Sequence, residues 1–175
     1  MQTKEEPVVI IRPMLPQDIE AFPAAFAAQG WPGKTEALFQ RYYRQQEAGE
    51  RKVFVAEAEG VPAGYATLLP QAPQGPFAGK GIPCVCDFNV LERFQRRGIG
   101  NALLAAIEDH ARARGPALCL GVGLYRGYGA AQRLYARRGY LPDGSGVWYE
   151  DEQFVPGRAY PVDDELVLYL CKTFA

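Results

Sequence analysis

The order strand, glycine-rich turn, helix, strand between Ile82 and Gly123 restricts the possible folds most strongly. A strand is predicted over Ile82–Val90, and Ile99–Arg114 has apolar residues at helical spacing. Gly115-Pro116 ends this helix, and Ala117–Gly123 is predicted as the next strand. Strands joined through a helix in this way form a right-handed parallel crossover, so we expect a β-α-β unit here.

The rest of the chain alternates between the two periodicities. Strands are predicted at Val8–Arg12, Lys52–Glu57, Ala63–Leu69, Val147–Glu150 and Glu165–Lys172, and helices at Asp18–Gln29, Thr35–Ala48 and Tyr128–Arg138. We expect Pro23 to bend or shorten its helix, Glu59–Pro62 to close a hairpin, and Pro142–Gly146 to form a turn. The sequence has no internal repeat and no long linker, so residues 1–175 are interpreted as one α/β (α+β) domain.

The charge balance and the absence of long apolar runs exclude several classes of protein. Nineteen basic and twenty acidic residues leave a net charge of −1, which argues against a nucleic-acid-binding surface. No apolar run is long enough for a membrane span, and the acidic pair Glu5-Glu6 interrupts any signal-peptide pattern, so we expect a cytoplasmic protein with no membrane partner. With four cysteines and a single histidine, we expect reduced cysteines and no metal site.

The turn of the crossover, Phe94-Gln-Arg-Arg-Gly-Ile-Gly100, has the composition of an anion-binding loop. Gly98 and Gly100 let a ligand approach the backbone, and the first N–H groups of a helix favour negative charge. Arg93, Arg96 and Arg97 add positive charge nearby. The simpler alternative is a solvated basic turn whose glycines serve only its geometry.

Two other phosphate-binding motifs fail on their context. Ala28-Gln-Gly-Trp-Pro-Gly-Lys-Thr35 matches a loose nucleotide-loop pattern, but a helix precedes it where the motif requires a strand. Gly121-Val-Gly123 is followed by Arg126 where a Rossmann fingerprint has its third glycine. Neither segment is therefore interpreted as a nucleotide site.

Two segments, Phe88–Gly100 and Tyr128–Tyr140, contain the motifs of a known family. They resemble the GNAT superfamily of N-acetyltransferases. Phe88-Asn-Val90, a four-residue turn and Gln95-Arg-Arg-Gly-Ile-Gly100 resemble its [RQ]-x-x-G-x-[GA] acetyl-CoA signature. Tyr128–Tyr140 is similar to the N-x-x-A-x-x-L-Y-x-x-x-G-[FY] helix of the same superfamily. The resemblance covers about Ile82–Tyr140 and implies a mixed, mostly antiparallel sheet of six to seven strands, with helices on both faces and a β-α-β acetyl-CoA-binding crossover.

The resemblance implies roles for named residues in acetyl-CoA-dependent transfer to a primary amine. Tyr135 matches the tyrosine that protonates the departing thiolate, and a backbone N–H near Val90 would stabilise the oxyanion. The simpler interpretation of Tyr135 is a tyrosine that packs on the sheet. The strand edge and the loop would bind the pantetheine arm and the pyrophosphate. The residues implied in cofactor binding are Phe88, Asn89, Val90, Gln95, Arg96, Arg97, Gly98, Ile99, Gly100, Asn101 and Tyr128.

The sequence departs from the family pattern at two positions. Tyr128 stands where the family usually has Asn, and Gly121 stands where some members carry a general-base Glu. The base would then be another residue or a water. Asp87, at the end of the preceding strand, is our candidate; its simpler interpretation is a solvated or hydrogen-bonded carboxylate at a strand end. His110 falls on the apolar stripe of its helix and is interpreted as a packed residue.

The acceptor is expected to be a small-molecule or peptide amine, and a small cationic amine fits the acidic loops best. The resemblance implies an acceptor pocket built from the loop between the first two helices and the loop before the last strand. Here these loops are Gln29–Lys34, which contains Trp31, and Val147–Glu165, which carries two acidic triplets. Exposed strand edges and the Tyr- and Leu-rich final strand are compatible with a homodimer. The rival functions are a non-catalytic acyl-CoA sensor or scaffold and, less well supported, a nucleotide-binding protein.

Overall fold

The structure is a computed structural model that describes residues 8–175. Our expectation that no signal peptide begins the chain concerns residues outside that range. Over the described residues the elements are β1 (Val9–Pro13), α1 (Asp18–Ala28), α2 (Glu36–Glu47), β2 (Lys52–Ala58), β3 (Val61–Leu69), β4 (Cys84–Val90), α3 (Ile99–Arg112), β5 (Ala117–Gly123), α4 (Gly129–Arg137), β6 (Leu141–Tyr149), β7 (Glu152–Gln153) and β8 (Leu166–Thr173).

The strands follow the sheet order β1-β2-β3-β4-β5-β8-β6-β7. Strands β4 and β5 pair in parallel, with Cys84 opposite Cys119, whereas β1–β2, β5–β8, β6–β8 and β6–β7 pair antiparallel. The mixed, mostly antiparallel α/β fold class and the β-α-β crossover are therefore confirmed. The expectation of six to seven strands is wrong, because eight strands form among residues 8–175.

The observed strands differ most from the predicted ones at two places, β6 and β7. Pro142–Gly146, predicted as a turn, is part of β6, which keeps its pairing with β8 across a register shift between Pro142 and Val147. Strand β7 has two residues, too few for an alternating pattern to show in the sequence. It is joined to β6 by Glu150 and Asp151, which both have positive φ (46° and 65°). That geometry is usually built from Asn-Gly or Asp-Gly, so Glu-Asp carried no turn signal.

The predicted hairpin between β2 and β3 is confirmed and has the same kind of turn. Glu59 and Gly60 have φ of 55° and 75°, as the two central residues of a tight hairpin require. The predicted helices are confirmed to within two residues. Thr35 lies just outside α2 and accepts a hydrogen bond from the Leu38 nitrogen, and α1 contains Pro23 and ends one residue earlier than predicted. Tyr128 precedes α4 in a short 3₁₀ turn.

The chain divides into two compact units. Among the described residues, the first comprises residues 8–67 together with Asp87–Ile107, and the second comprises Leu68–Cys86 and Glu108–Ala175. An aromatic cluster forms the centre of the first unit, where Phe22, Phe26, Phe39 and Tyr65 are at most 1% exposed. The Phe22, Phe39 and Tyr65 rings lie within 5.2 Å of one another, centroid to centroid.

In the second unit, strands β5 and β8 pair over seven residues, from Ala117 opposite Thr173 to Gly123 opposite Val167. Cys84, Cys119 and Tyr169 are buried together there. All four cysteines are free thiols. Among residues 8–175, no helix is long and apolar enough to cross a membrane. No group of three or more metal-ligating side chains occurs in the same range.

Candidate acyl-transfer site

The C-terminal end of β4 is held closely against β3. A Cβ added at Gly64 would lie 2.8 Å from the Asn89 carbonyl oxygen, so only glycine allows the two backbones to approach this far. The Leu91 nitrogen then donates to the Ala63 carbonyl at 2.9 Å. This packing fixes the backbone of Phe88–Val90, the segment expected to contact the pantetheine arm, within the first unit.

Asp87 interrupts the extended backbone of β4. Its φ is +58°, a left-handed conformation that non-glycine residues rarely adopt in a strand. Its carboxylate accepts four hydrogen bonds within the first unit. Oδ1 accepts from Lys34 Nζ at 2.5 Å and Asn89 Nδ2 at 2.7 Å, and Oδ2 accepts from the Tyr42 and Tyr65 hydroxyls at 2.8 and 2.7 Å.

Four donors occupy the lone-pair sites that a carboxylate offers, so Asp87 can receive a proton only if one donor leaves. Two of the donors are well protected from losing their protons. Burial raises the pKa of Tyr65 and Tyr42 well above the ordinary value for a phenol, and the nearby Asp87 charge raises both further. Lys34 is the charged donor, and its side chain is 24% exposed, as against 19% for Asp87.

The loop between β4 and α3 has backbone geometry of the kind expected of an anion-binding turn. Arg96 and Gly98 both have positive φ (61° and 79°), and α3 begins immediately afterwards at Ile99. Left-handed residues in such turns direct successive backbone N–H groups toward one concave face, which binds anions. Gln95 braces the turn, since its Nε2 donates to the Val90 carbonyl at 3.0 Å.

The side chains of this loop leave its backbone exposed. Gln95–Gly98 are exposed, and a Cβ added at Gly98 would meet nothing within 4 Å. Ile99 is buried, so it could offer a ligand only its backbone, whereas Asn101 is exposed. The first turn of α3 contains no acidic residue. These features fit a pyrophosphate at the helix N-terminus, because the first helical turn carries no negative charge and the space beside Gly98 is open.

The arginines beside this loop differ in their contacts. The Arg93 and Arg97 guanidinium groups lie 4.5 and 5.4 Å from the centroid of the buried Phe94 ring. Arg97 also pairs with Glu59 at 2.7 Å, with both side chains largely exposed. An exposed pair of this kind contributes little to stability and is readily exchanged for another anion.

Tyr135 lies on α4 in the second unit and is 5% exposed. Burial raises its pKa above the ordinary value for a phenol, and the proximity of Tyr128 and Cys84 acts in the same direction. Its ring centroid is 5.8 Å from that of Tyr140. The phenol therefore keeps its proton at neutral pH, as a proton donor must.

Tyr128, at the usual Asn position, packs against backbone. A Cβ at Gly123 would lie 2.3 Å from the Tyr128 ring, so the ring covers this glycine at the end of β5. The Tyr128 and Tyr125 hydroxyls both donate to Asp164, at 2.9 and 2.6 Å. Gly121 is exposed on β5 and lies beside the Tyr169 ring, with no side chain of its own to act as a base.

The expected acceptor loops lie in different units. Trp31 follows α1 in the first unit, stacks on Phe26 with 5.9 Å between ring centroids, and is 39% exposed. The second unit contains a cavity of about 410 Å³ beside the β6–β7 turn. It is lined by Tyr149, Glu150, Glu152, Arg158, Ala159, Tyr160 and Pro161. Trp148 does not line this cavity; it donates to Ser145 and packs edge-on against Tyr169.

Sequence reasoning missed the partners of Asp87. Lys34, Tyr42 and Tyr65 are 53, 45 and 22 residues away from it along the chain. The available signals were that Lys34 lies in an expected acceptor loop and that Tyr42 lies on the predicted helix Thr35–Ala48. The convergence of their polar ends on one carboxylate is a tertiary feature.

Comparison with known proteins identifies the family. The model of the acetyltransferase (GNAT) family matches residues 17–140. A comparison with curated protein sequences gives no significant match. The ribosomal-protein-alanine N-acetyltransferase of Brucella melitensis is similar in structure, with 25% identity and a TM-score of 0.66, over 94% of this chain and 99% of that one.

Two structures from Salmonella typhimurium have the same fold. One is an acetyl transferase that modifies the N-terminal serine of ribosomal protein L7/L12, with 14% identity, a TM-score of 0.70 and coverage of 95% of each chain. The other is yncA with its cofactor acetyl-CoA, with 20% identity and a TM-score of 0.65 over 94% of this chain and 93% of that one. The family match spans most of the chain, and the chain therefore belongs to the GNAT acetyltransferase family, whose activity is acetyl transfer from acetyl-CoA.

Proposed function

We propose that the protein is an N-acetyltransferase that moves the acetyl group of acetyl-CoA directly to a primary amine of a small cationic acceptor. The observation that carries the proposal is the open loop at the start of α3, with left-handed Arg96 and Gly98 and no acidic residue in the first helical turn. Such a loop suits the pyrophosphate of a CoA ester. All of residues 1–175 are assigned to this one N-acetyltransferase domain.

The loop and the end of β4 are assigned to binding. Backbone N–H groups from Gln95 to Asn101 hold the pyrophosphate, and the backbone of Phe88–Val90 pairs with the pantetheine arm. When bound, acetyl-CoA supplies a thioester carbonyl that a neutral amine can attack. The Val90 N–H is assigned to the oxygen of that carbonyl, where negative charge develops.

Tyr135 is assigned as the proton donor to the departing sulfur. Its raised pKa keeps the phenol protonated throughout the working pH range, so the donor is present in every molecule. Asp87 is assigned to the acceptor side, where a carboxylate attracts the acceptor's ammonium group and accepts the proton that it loses. It can do so once one of its four present donors is displaced.

The preference for a cationic acceptor has a second support in the acidic loop that follows β6. Glu150 and Glu152 line a cavity together with the Tyr149 and Tyr160 rings, and carboxylates beside aromatic faces suit an organic cation. A peptide amine is the alternative acceptor, since the Brucella melitensis relative is named for a ribosomal-protein alanine. An amine panel that includes short peptides separates the two.

The first experiment is a thermal shift of the purified protein with acetyl-CoA, CoA or ATP. A ligand at a hundredfold its Kd adds about 2.7 kcal/mol to the free energy of unfolding. For a chain of this size, that corresponds to a rise in Tm of roughly 5–10 °C. A rise with acetyl-CoA and none with ATP is expected. If neither CoA species raises Tm, the loop is only a solvated turn and the proposal fails.

The second candidate function is an acyl-CoA sensor without turnover. The sensor function is favoured by the replacement of the usual Asn by Tyr128, whose hydroxyl donates a hydrogen bond to Asp164. Release of CoA in the presence of an amine, lost in Tyr135→Phe, is expected from the enzyme. Binding of acetyl-CoA with no CoA release across the panel would establish the sensor instead.

A further inference from the structure

The contacts of Lys34 lead beyond the proposed function, on which this inference rests. We propose that the surroundings of Asp87 form a binding site for a primary alkyl ammonium group, and that Lys34 occupies this site as a tethered competitor of the acceptor. Lys34 therefore sets the acceptor concentration that the enzyme requires.

The Lys34 ammonium has the contacts of a bound ligand. Its Nζ lies 2.5 Å from Asp87 Oδ1 and 5.7 Å from the centroid of the Tyr65 ring. A carboxylate combined with an aromatic face is a common recognition pattern for organic cations. The group bound in this way is an unbranched CH₂–NH₃⁺ terminus, so an acceptor with the same terminus can make the same contacts.

The rest of the site is built independently of Lys34. Tyr42 and Tyr65 hold Oδ2 and Asn89 holds Oδ1, so the carboxylate is oriented by three neutral donors. Tyr65 is fully buried and Tyr42 is 5% exposed, and both pack in the aromatic cluster of the first unit. The left-handed backbone conformation of Asp87 is costly for a non-glycine residue, and the surrounding structure must therefore hold it in place. Removal of Lys34 therefore leaves a preformed anionic site.

Lys34 is the component that can leave. It lies in the short segment between α1 and α2, directly after Gly33, and its side chain is 24% exposed. Its ammonium can therefore leave Asp87 for water. Tyr42, Tyr65 and Asn89 are held in place, because they belong to α2, β3 and β4. An internal competitor that fills a site nine-tenths of the time raises the apparent Kd of an external ligand about tenfold.

The test is binding of ethylammonium, measured as the rise in Tm without acetyl-CoA. Wild type is compared with Lys34→Met, with tetramethylammonium at equal ionic strength as the matched ligand, because it has the charge but no N–H donor. Lys80→Met is the matched variant: Lys80 is exposed and lies 5.9 Å from the Phe77 ring, so the change removes one charge from a similar aromatic contact. Lys34→Gln repeats the measurement with a polar side chain in case the Met variant folds poorly.

We expect Lys34→Met and Lys34→Gln to reach the same Tm rise at about one-tenth of the ethylammonium concentration that wild type and Lys80→Met require. Tetramethylammonium should produce no such difference, and adding Asp87→Asn to Lys34→Met should abolish the response. In turnover, the KM for a primary amine should fall about tenfold in Lys34→Met. Loss of a purely structural residue would leave KM unchanged or raise it.

Equal responses of wild type and the Lys34 variants, or equal responses to the two cations, would overturn the proposal. Since the binding measurement uses no acetyl-CoA, its result is independent of turnover. Ethylammonium binding without CoA release from any amine would contradict the acetyltransferase function and leave the ammonium site intact. CoA release with no effect of the Lys34 substitutions on ethylammonium binding or on KM would support the acetyltransferase function and contradict the ammonium site.

Discussion

Arg138 Nη2 lies 2.6 Å from Glu108 Oε2, which connects the end of α4 to a carboxylate of α3 that is 3% exposed. Lys172 of β8 reaches the same oxygen at 2.9 Å. Both charges thus converge on one buried group of the second unit. A buried carboxylate that loses its cationic partners is left as an uncompensated charge, which costs free energy. Disrupting this cluster should therefore destabilise the folded protein.

We expect Glu108→Gln to lower the free energy of unfolding by about 2 kcal/mol, because Arg138 and Lys172 lose their shared counter-charge. Chemical denaturation at neutral pH measures this loss. Glu20→Gln, at an exposed position of α1, is the control and should change stability by less than about 0.5 kcal/mol. Similar values for the two variants would show that the cluster does not stabilise the protein.

The same cluster should make stability depend on acid. Burial acts to raise the pKa of Glu108, but hydrogen bonds from Arg138 and Lys172 outweigh it and hold the pKa below the ordinary value. A depressed folded-state pKa contributes stability that is complete above the unfolded pKa of about 4.3 and is lost as pH falls through the folded value. The difference in stability between wild type and Glu108→Gln should therefore shrink as pH falls below about 4. A constant difference from pH 7 to pH 3 would contradict this sign.

Gly98→Ala tests the anion-binding loop. Gly98 and Gly79 both have positive φ (79° and 71°) and open surroundings, so an added Cβ strains the backbone at each by about 1 kcal/mol. Gly79→Ala, in the loop before β4, is therefore a matched control for the strain. Only Gly98→Ala should weaken acetyl-CoA binding. We expect the Kd to rise about tenfold, which corresponds to the loss of one hydrogen bond to a charged group. Calorimetric titration measures this effect, and equal affinities would place the ligand elsewhere.

Gly64→Ala tests the close approach of β3 and β4. Its Cβ would lie 2.8 Å from the Asn89 carbonyl oxygen, and because this neighbour is backbone we expect a loss of about 1–3 kcal/mol. At Gly121 the nearest atom is 3.3 Å away and belongs to the Tyr169 side chain, which needs to shift by only a few tenths of an ångström, so Gly121→Ala should cost less than about 1 kcal/mol. Denaturant midpoints decide between these costs. Gly64→Ala should also weaken acetyl-CoA binding, whereas equal stabilities would show that β4 can shift freely.

Tyr135→Phe removes the proposed proton donor and keeps the buried ring. The kcat for CoA release should fall about 100-fold, the usual contribution of a positioned acid, while the acetyl-CoA-induced rise in Tm stays the same. Tyr140→Phe removes a hydroxyl from the partner ring, 5.8 Å away, and should leave kcat within about twofold. An unchanged kcat in Tyr135→Phe would limit Tyr135 to packing.

Local sequence patterns predicted most of the secondary structure, because caps, glycines and apolar periodicity act over a few residues. Helix α3 was predicted as Ile99–Arg114, two residues longer than observed, from its apolar stripe and from Gly115-Pro116 after it. Glu59-Gly60 was recognisable from its position between two β-rich runs. The Gln95–Gly100 motif depends on contiguous residues in the same way. The short strand β7 and the continuation of β6 through Pro142 escaped prediction, because pairing with neighbouring strands stabilises them and their own propensity does not.

The sequence by itself therefore determined the family, the crossover and the loop at the start of α3, since each is encoded in adjacent residues. Only the tertiary structure brought Lys34, Tyr42 and Tyr65 to Asp87, and Lys172 and Arg138 to Glu108. A carboxylate selects its partners by distance and by burial, and both are set by how the elements pack. Adjacent residues in the sequence do not specify either the distance or the burial. The polar clusters of this protein could therefore be identified only from the tertiary structure.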